Sequence, residues 1–204
     1  MTMSLPADLW PDVKPDAARR LMYAAVESFA KVGFHGTTTR DIATAAGMSP
    51  AALYVHFSSK AALLFAISRD GHERTLEMVQ RVAGTDGSPV DRVRLLVERF
   101  VEWHARRHVV ARVVQYELEA LPADEYTTVA ALRRRIEQVV QSLIADGVKD
   151  GSFTVPDEKI AARAVLSLGI DVARWYSERA RKTPKALGRE YATLVLRMLG
   201  SSAQ

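Results

Sequence analysis

The side chains able to do chemistry fall into two groups. His104 and His108 stand four residues apart on a stretch of helical periodicity, a spacing at which two imidazoles can share a metal ion. No third ligand follows at a fixed offset, so two polar positions on one helix face are the simpler reading. The chain has no cysteine, which removes thiolate sites, Cys nucleophiles and disulfides together and fits a reducing compartment. There is no Gly-rich phosphate loop, no G-x-S-x-G and no His-Glu-x-x-His. Binding rather than turnover is the expectation, with no cofactor and no metal. The second group is Thr38, Thr39, Arg40, Ser49, Tyr54, His56 and Lys60, a set of hydroxyl, cationic and aromatic groups gathered in one short segment.

That segment runs Thr39-Arg-Asp-Ile-Ala-Thr-Ala-Ala-Gly-Met-Ser-Pro-Ala-Ala-Leu-Tyr-Val-His-Phe57. It reads as two short helices, Thr39–Ala46 and Pro50–Phe57, joined only by Gly47–Ser49, which is the pattern of a helix-turn-helix. Ala43 is small where the second helix must cross close to the first. Gly47 offers the positive φ that a tight turn demands. Ser49 suits the N-cap of the second helix and Pro50 its first position. In this arrangement the N-terminal end of the second helix faces a DNA major groove. Two such helices cannot bury their own faces. The preceding helix and the start of the following one would close a small core with Phe29, Phe34, Leu53 and Phe57.

Periodicity along the rest of the chain is helical throughout, without sustained alternation of period two. The fold class is therefore all-α, with about nine helices. Residues 1–14 read as a flexible tail, 15–60 as the helix-turn-helix domain and 61–204 as a second helical domain. Pro15 and Asp16 open the first helix and Gly33 stops it. Ser58 or Ser59 caps a long fourth helix reaching about Val82. Gly84–Pro89 is a loop. Further helices are expected over Val90–Arg107, Val109–Glu119, Ala123–Val148, Asp157–Ala180 and from Pro184 to near Gly200. Of the 204 residues, 48% are hydrophobic and 25% charged, ordinary for a soluble globular chain. The net charge of +4 is a weak pointer to nucleic acid, since charge speaks to steering and non-specific binding. No apolar run reaches the roughly 18 residues of a membrane span, and the N-terminus lacks the pattern of a signal peptide. A cytoplasmic location without a membrane partner is the expectation.

Residues from about 16 to 65 resemble the DNA-binding domain of the TetR family of bacterial repressors. The resemblance rests on Phe29-Ala-Lys-Val-Gly-Phe, Thr37-Thr-Thr-Arg-Asp-Ile-Ala, Gly47-Met-Ser, Leu53-Tyr-Val-His-Phe and Lys60-Ala-Ala-Leu-Leu. It implies a double-stranded DNA operator as partner. Arg40 would reach a base edge or a phosphate. Thr38 and Thr39 would cap their helix and donate to phosphate. Tyr54 and His56 would hold the backbone, and Lys60 would meet a phosphate as a point charge. Ser49, Pro50 and Ala51 would approach bases. Ala51 and Ala52 offer only methyl groups, so readout there would be apolar, as toward thymine methyls.

By the same resemblance the remainder would bind a small-molecule effector and form a homodimer. Ile160, Ala164, Val165, Leu168 and Val172 repeat at helical spacing, as do Leu187, Tyr191, Leu194, Val195, Met198 and Leu199. Helices apolar over more than one face need cover on two sides, and a twofold interface through the last two helices supplies it. A larger monomeric core is the alternative. The effector pocket is expected among Phe100, Trp103, Val114, Leu118, Leu143, Leu168, Val172 and Trp175, with Arg174, Arg179 or Arg133-Arg134-Arg135 at its mouth. The pattern Ala123–Ala131 followed by Leu132-Arg-Arg-Arg, with Val172-Ala-Arg-Trp-Tyr176, resembles an actinobacterial branch of the family that senses acyl-CoA thioesters. The expectation is thus a repressor released from a palindromic operator by a hydrophobic ligand of that class. An activator of the same fold and an all-α enzyme acting on an acyl-CoA are the rivals.

Overall fold

The computed structural model describes residues 9–201. These form nine α-helices: α1 Asp16–Gly36, α2 Thr39–Ala45, α3 Pro50–His56, α4 Lys60–Ala83, α5 Pro89–Arg106, α6 His108–Tyr116, α7 Ala123–Lys149, α8 Glu158–Trp175 and α9 Pro184–Met198, with a 3-10 turn at Leu118–Ala120. No single helix among them is long and apolar enough to cross a membrane. The bounds follow local chemistry. Ser88 and Asp91 form a reciprocal cap on α5, Asp157 caps α8 and Thr183 caps α9. Ser59 Oγ accepts from Ala62 N at 3.0 Å and settles which serine caps α4. Helix α8 ends at Trp175 rather than near Ala180, because Tyr176 turns to an extended conformation. Of the expected N-terminal tail, residues 1–8 lie outside the described residues. Trp10, by contrast, is buried, so the tail reading fails there.

The described chain divides into two compact units. The first holds the residues up to Gly71 together with Arg112–Val129; the second holds His72–Ala111 and the residues from Ala130 onward. In the first, α1, α2 and α3 pack on one another. Leu21, Met22, Ala25, Phe29, Ile42 and Leu53 are fully buried there. Gly33, at φ 75°, breaks α1 before its last turn, a conformation that costs an L residue about 1–2 kcal/mol.

In the second unit α5 packs along α8 and α9. Two glycines permit that approach. A Cβ on Gly188 of α9 would stand 2.6 Å from the Glu98 carbonyl oxygen, and one on Gly169 of α8 would stand 2.4 Å from the Phe100 ring. The core of this unit includes Val93, Leu96, Val97, Val101, Leu143, Ile144, Val165, Val172, Val195 and Leu199. Five large apolar side chains of α8 and α9 remain exposed: Ile160, Leu168, Trp175, Leu194 and Met198.

Candidate nucleic-acid interface

The tight connection between α2 and α3 is built by Gly47, whose φ of 69° lets the chain reverse. Arg20 of α1 donates to the Ala46 carbonyl beside it and secures the end of α2. Ala43 is fully buried under the crossing and Leu53 anchors α3 from the other side. Ser49 Oγ accepts from Ala52 N at 3.3 Å, and Pro50 occupies the first turn.

Helix α2 begins with a reciprocal cap. Asp41 N donates to Thr38 Oγ1 at 3.1 Å, while Asp41 Oδ2 accepts from Thr38 N at 2.9 Å and from its hydroxyl at 2.6 Å. The Thr38 hydroxyl first, and its amide second, hold the Asp41 carboxyl below the usual carboxylate range. The signal for Asp41 is present in the sequence as a Thr-x-x-Asp ahead of Ile42. Thr39 Oγ1 lies 3.2 Å from Tyr54 Oη, so one hydroxyl pair ties α2 to α3 on the exposed side. Tyr54 is 56% exposed and thus belongs to the surface, whereas Leu53 is the buried residue of α3. Phe57 is half-buried.

Thr38, Arg40, Ser49, Pro50, Ala51 and Tyr54 are exposed, Thr39 and His56 are partly so, and all of them lie in the first unit. Within the set, the Thr39–Tyr54 contact joins the two helices. Lys60 differs in its engagement. Its ammonium donates to Phe34 O and to Thr37 O, each at 2.6 Å, and sits 4.2 Å from the centre of the Phe34 ring. It closes the corner between α1 and α2 from within instead of standing in solvent as a point charge. The same corner receives Glu117, whose Oε2 accepts from Phe34 N at 3.2 Å. Nothing in the local sequence announces Glu117, which lies far along the chain. Val55, 77% exposed on α3, is a further surface residue that the motif does not single out.

The expected effector-binding residues differ in burial and fall in both units. Phe100, Leu143 and Val172 are buried in the second unit and Trp103 is half-buried there, while the buried Leu118 belongs to the first. Leu168 and Trp175 are 41% and 45% exposed, and Arg174 is exposed and bound to Asp171 at 2.6 and 3.0 Å. The reason is helix phase. Val165, Gly169 and Val172 form the buried stripe of α8, and Leu168 and Trp175 fall on the neighbouring one. His104 is buried beside Phe100, with Nδ1 donating to the Phe100 carbonyl at 2.8 Å. Burial pushes its pKa down to about 4, opposed by that carbonyl and reinforced by His72. His108 bonds a backbone carbonyl too, that of Ala105 at 3.1 Å. Among the described residues no three potential ligands gather as a metal site.

Two family models match this chain. Residues 21–67 match the model for bacterial regulatory proteins of the tetR family, and residues 86–199 match that for the tetracyclin repressor-like C-terminal domain. A crystal structure of a tetR-family regulatory protein from Rhodococcus RHA1 is 39% identical, with a TM-score of 0.87 over 93% of this chain and 100% of that one. The transcriptional repressor KstR2 of Rhodococcus jostii is 29% identical over 96% of this chain and 97% of its own. AibR, solved with isovaleryl coenzyme A and operator DNA, shares the fold at 22% identity and a TM-score of 0.78, over 90% of this chain and 97% of its own. With both of its halves matched in this way, the chain belongs to the TetR family of ligand-responsive, DNA-binding transcriptional regulators.

Proposed function

We propose that the chain is a repressor that binds a palindromic operator as a homodimer and releases it when an apolar effector, of the acyl-CoA thioester class, occupies the second unit. The observation that carries the DNA half is the exposure of Arg40 on α2 and of Pro50, Ala51, Tyr54 and Val55 on α3, two helices joined by the tight turn at Gly47, with His56 partly exposed. Arg40 contacts a base edge or phosphate, Tyr54 and His56 contact the backbone, and Pro50 and Ala51 approach the bases. Thr38, Thr39 and Ser49 shape this face and present the helix N-termini to phosphate. The dimer forms through α8 and α9, whose exposed Ile160, Leu168, Trp175, Leu194 and Met198 need cover. Leu168 and Trp175 thereby move from the effector site to the interface. Phe100, Trp103, Leu143 and Val172 remain as effector-facing residues.

The effector class is supported by AibR, solved with isovaleryl coenzyme A and operator DNA, and the repressing sign by the name of KstR2 as a transcriptional repressor. Action is by binding without turnover, in the compartment that holds the chromosome, the cytoplasm. The effector must prefer the DNA-free state, since equal affinity for both states shifts nothing.

The test is selection of bound genomic fragments by the full-length protein, with footprinting at two salt concentrations and titration of isovaleryl-CoA and stearoyl-CoA. A protected palindrome whose occupancy falls with salt and with one acyl-CoA is expected. Binding without sequence preference would refute the operator model, and occupancy indifferent to both thioesters would refute the effector class.

A further inference from the structure

We infer that α3 reads its operator through the 5-methyl groups of thymines, with Val55 and Ala51 as the reading residues. The inference rests on the DNA-binding reading above and adds its chemistry. Hydrogen-bonded base readout needs Arg or Lys for guanine, Asn or Gln for adenine, or an acid for cytosine. Helix α3, Pro-Ala-Ala-Leu-Tyr-Val-His, contains none of these. The hydroxyls near it are engaged within the unit, Ser49 Oγ with Ala52 N, and Tyr54 Oη with Thr39 Oγ1. Ser59, just beyond the helix, caps α4.

The exposed positions of α3 are Pro50, Ala51, Tyr54 and Val55. Ala51 and Val55 lie four residues apart and so share one helix face as a strip of methyl groups. A single exposed valine is ordinary on a protein surface. Here it stands at 77% exposure on the helix that approaches the bases, one turn from an alanine and next to Tyr54. Its χ1 is held by branching at Cβ, so little side-chain freedom is lost when it is covered. The apolar group that a major groove offers such a strip is the thymine methyl.

The experiment uses the full-length protein and a duplex that it has selected from random sequence. Each thymine of the selected half-site is replaced in turn by deoxyuridine, which keeps the base pair and removes only the methyl group. Burying one methyl is worth about 0.8 kcal/mol, so Kd should rise roughly four-fold at each contacted thymine. In Val55→Ala the penalty at one of these positions should fall to about one-fold, while the other positions keep theirs. Val55→Thr, which keeps the shape, is the second variant, and thermal melting confirms that both fold. Tolerance of deoxyuridine at every position, or an unchanged penalty in both variants, would overturn the inference while leaving operator binding intact. Failure to select any sequence would overturn the DNA-binding reading and this inference with it.

Discussion

Replacing Lys60 by Met keeps the length of the side chain and removes its charge. The ammonium makes two hydrogen bonds, to Phe34 O and Thr37 O at 2.6 Å, and lies 4.2 Å from the Phe34 ring centre. A hydrogen bond to a charged group contributes about 1.5–3 kcal/mol when shielded, and a cation–π contact about 0.5–1 kcal/mol at an exposed site. Lys60 is only partly buried and water can replace it at both carbonyls, which takes the expected loss below the roughly 3.5 kcal/mol that the lower ends add up to, to about 2–3 kcal/mol. For a chain of this size that is a fall in Tm of roughly 5–10 °C. Because a domain is stable by about 5–15 kcal/mol, the variant stays folded at 25 °C and its operator affinity can be measured. Calorimetry gives the Tm, and fluorescence anisotropy across a salt series gives the slope of log K against log salt. A lysine that clamps the corner leaves that slope unchanged. A lysine that neutralises a phosphate would, once replaced in both protomers of the dimer, make the slope shallower by about 1.8. An unchanged Tm together with a shallower slope would refute the clamp and restore the phosphate role.

Three further outcomes are expected. Gly188→Ala places a Cβ 2.6 Å from the Glu98 carbonyl oxygen, against backbone that cannot swing aside. Overpacking at the upper end of about 1–3 kcal/mol, less about 1 kcal/mol of helix propensity, leaves a net loss of about 2 kcal/mol, read as a lower urea midpoint at unchanged slope; an unmoved midpoint contradicts the close crossing of α5 and α9. Glu117→Ala removes the acceptor of Phe34 N, so that amide should exchange faster by NMR, while Glu117→Gln keeps an acceptor and should protect it; equal rates in both variants count against the contact. His104 is held down at about 4 by burial, against about 6.5 unfolded, so the unfolded chain takes the proton first. Its contribution is whole above about pH 6.5 and is lost as pH falls towards 4, by about 3 kcal/mol at the end of that window. His104→Leu should flatten the pH dependence of the urea midpoint between about pH 5 and 6.5, and an unchanged slope there would place the titration on other groups.

Local chemistry is legible in the sequence wherever one residue type has one use. Gly33 and Gly47 do take positive φ, Ser49 does cap α3 and Ala43 is buried under the helix crossing. What escapes is whatever depends on rotation about a helix axis or on a partner far along the chain. Helix α8 carries two adjacent apolar stripes, and composition does not say which one faces inward. Gly169 marks the inner stripe, because only there does α5 bring the Phe100 ring so close. Periodicity alone consequently groups Leu168 and Trp175 with Val172, although they occupy the other stripe. Lys60 reads as a solvent-facing cation because its two acceptors are backbone carbonyls, which leave no trace in a sequence. Glu117 illustrates the same blindness, since it meets a backbone amide of α1 in a contact that only the folded unit creates.

The internal use of these polar groups bears on how the DNA-binding unit works. Thr38 with Asp41, Thr39 with Tyr54, Ser49 with Ala52, Arg20 with Ala46 and Lys60 with Phe34 and Thr37 each fix a boundary between two elements of the helix-turn-helix. These bonds hold α2 and α3 in one geometry, and those of Arg20 and Lys60 occupy cations that could have met a phosphate. Binding then loses little conformational freedom, which favours affinity from few contacts. It also leaves fewer cations to release counterions. The selected operator should therefore be distinguished from random DNA more by the fit of a rigid apolar strip than by charge. Its affinity should fall with salt less steeply than that of a reader whose lysines all face the backbone.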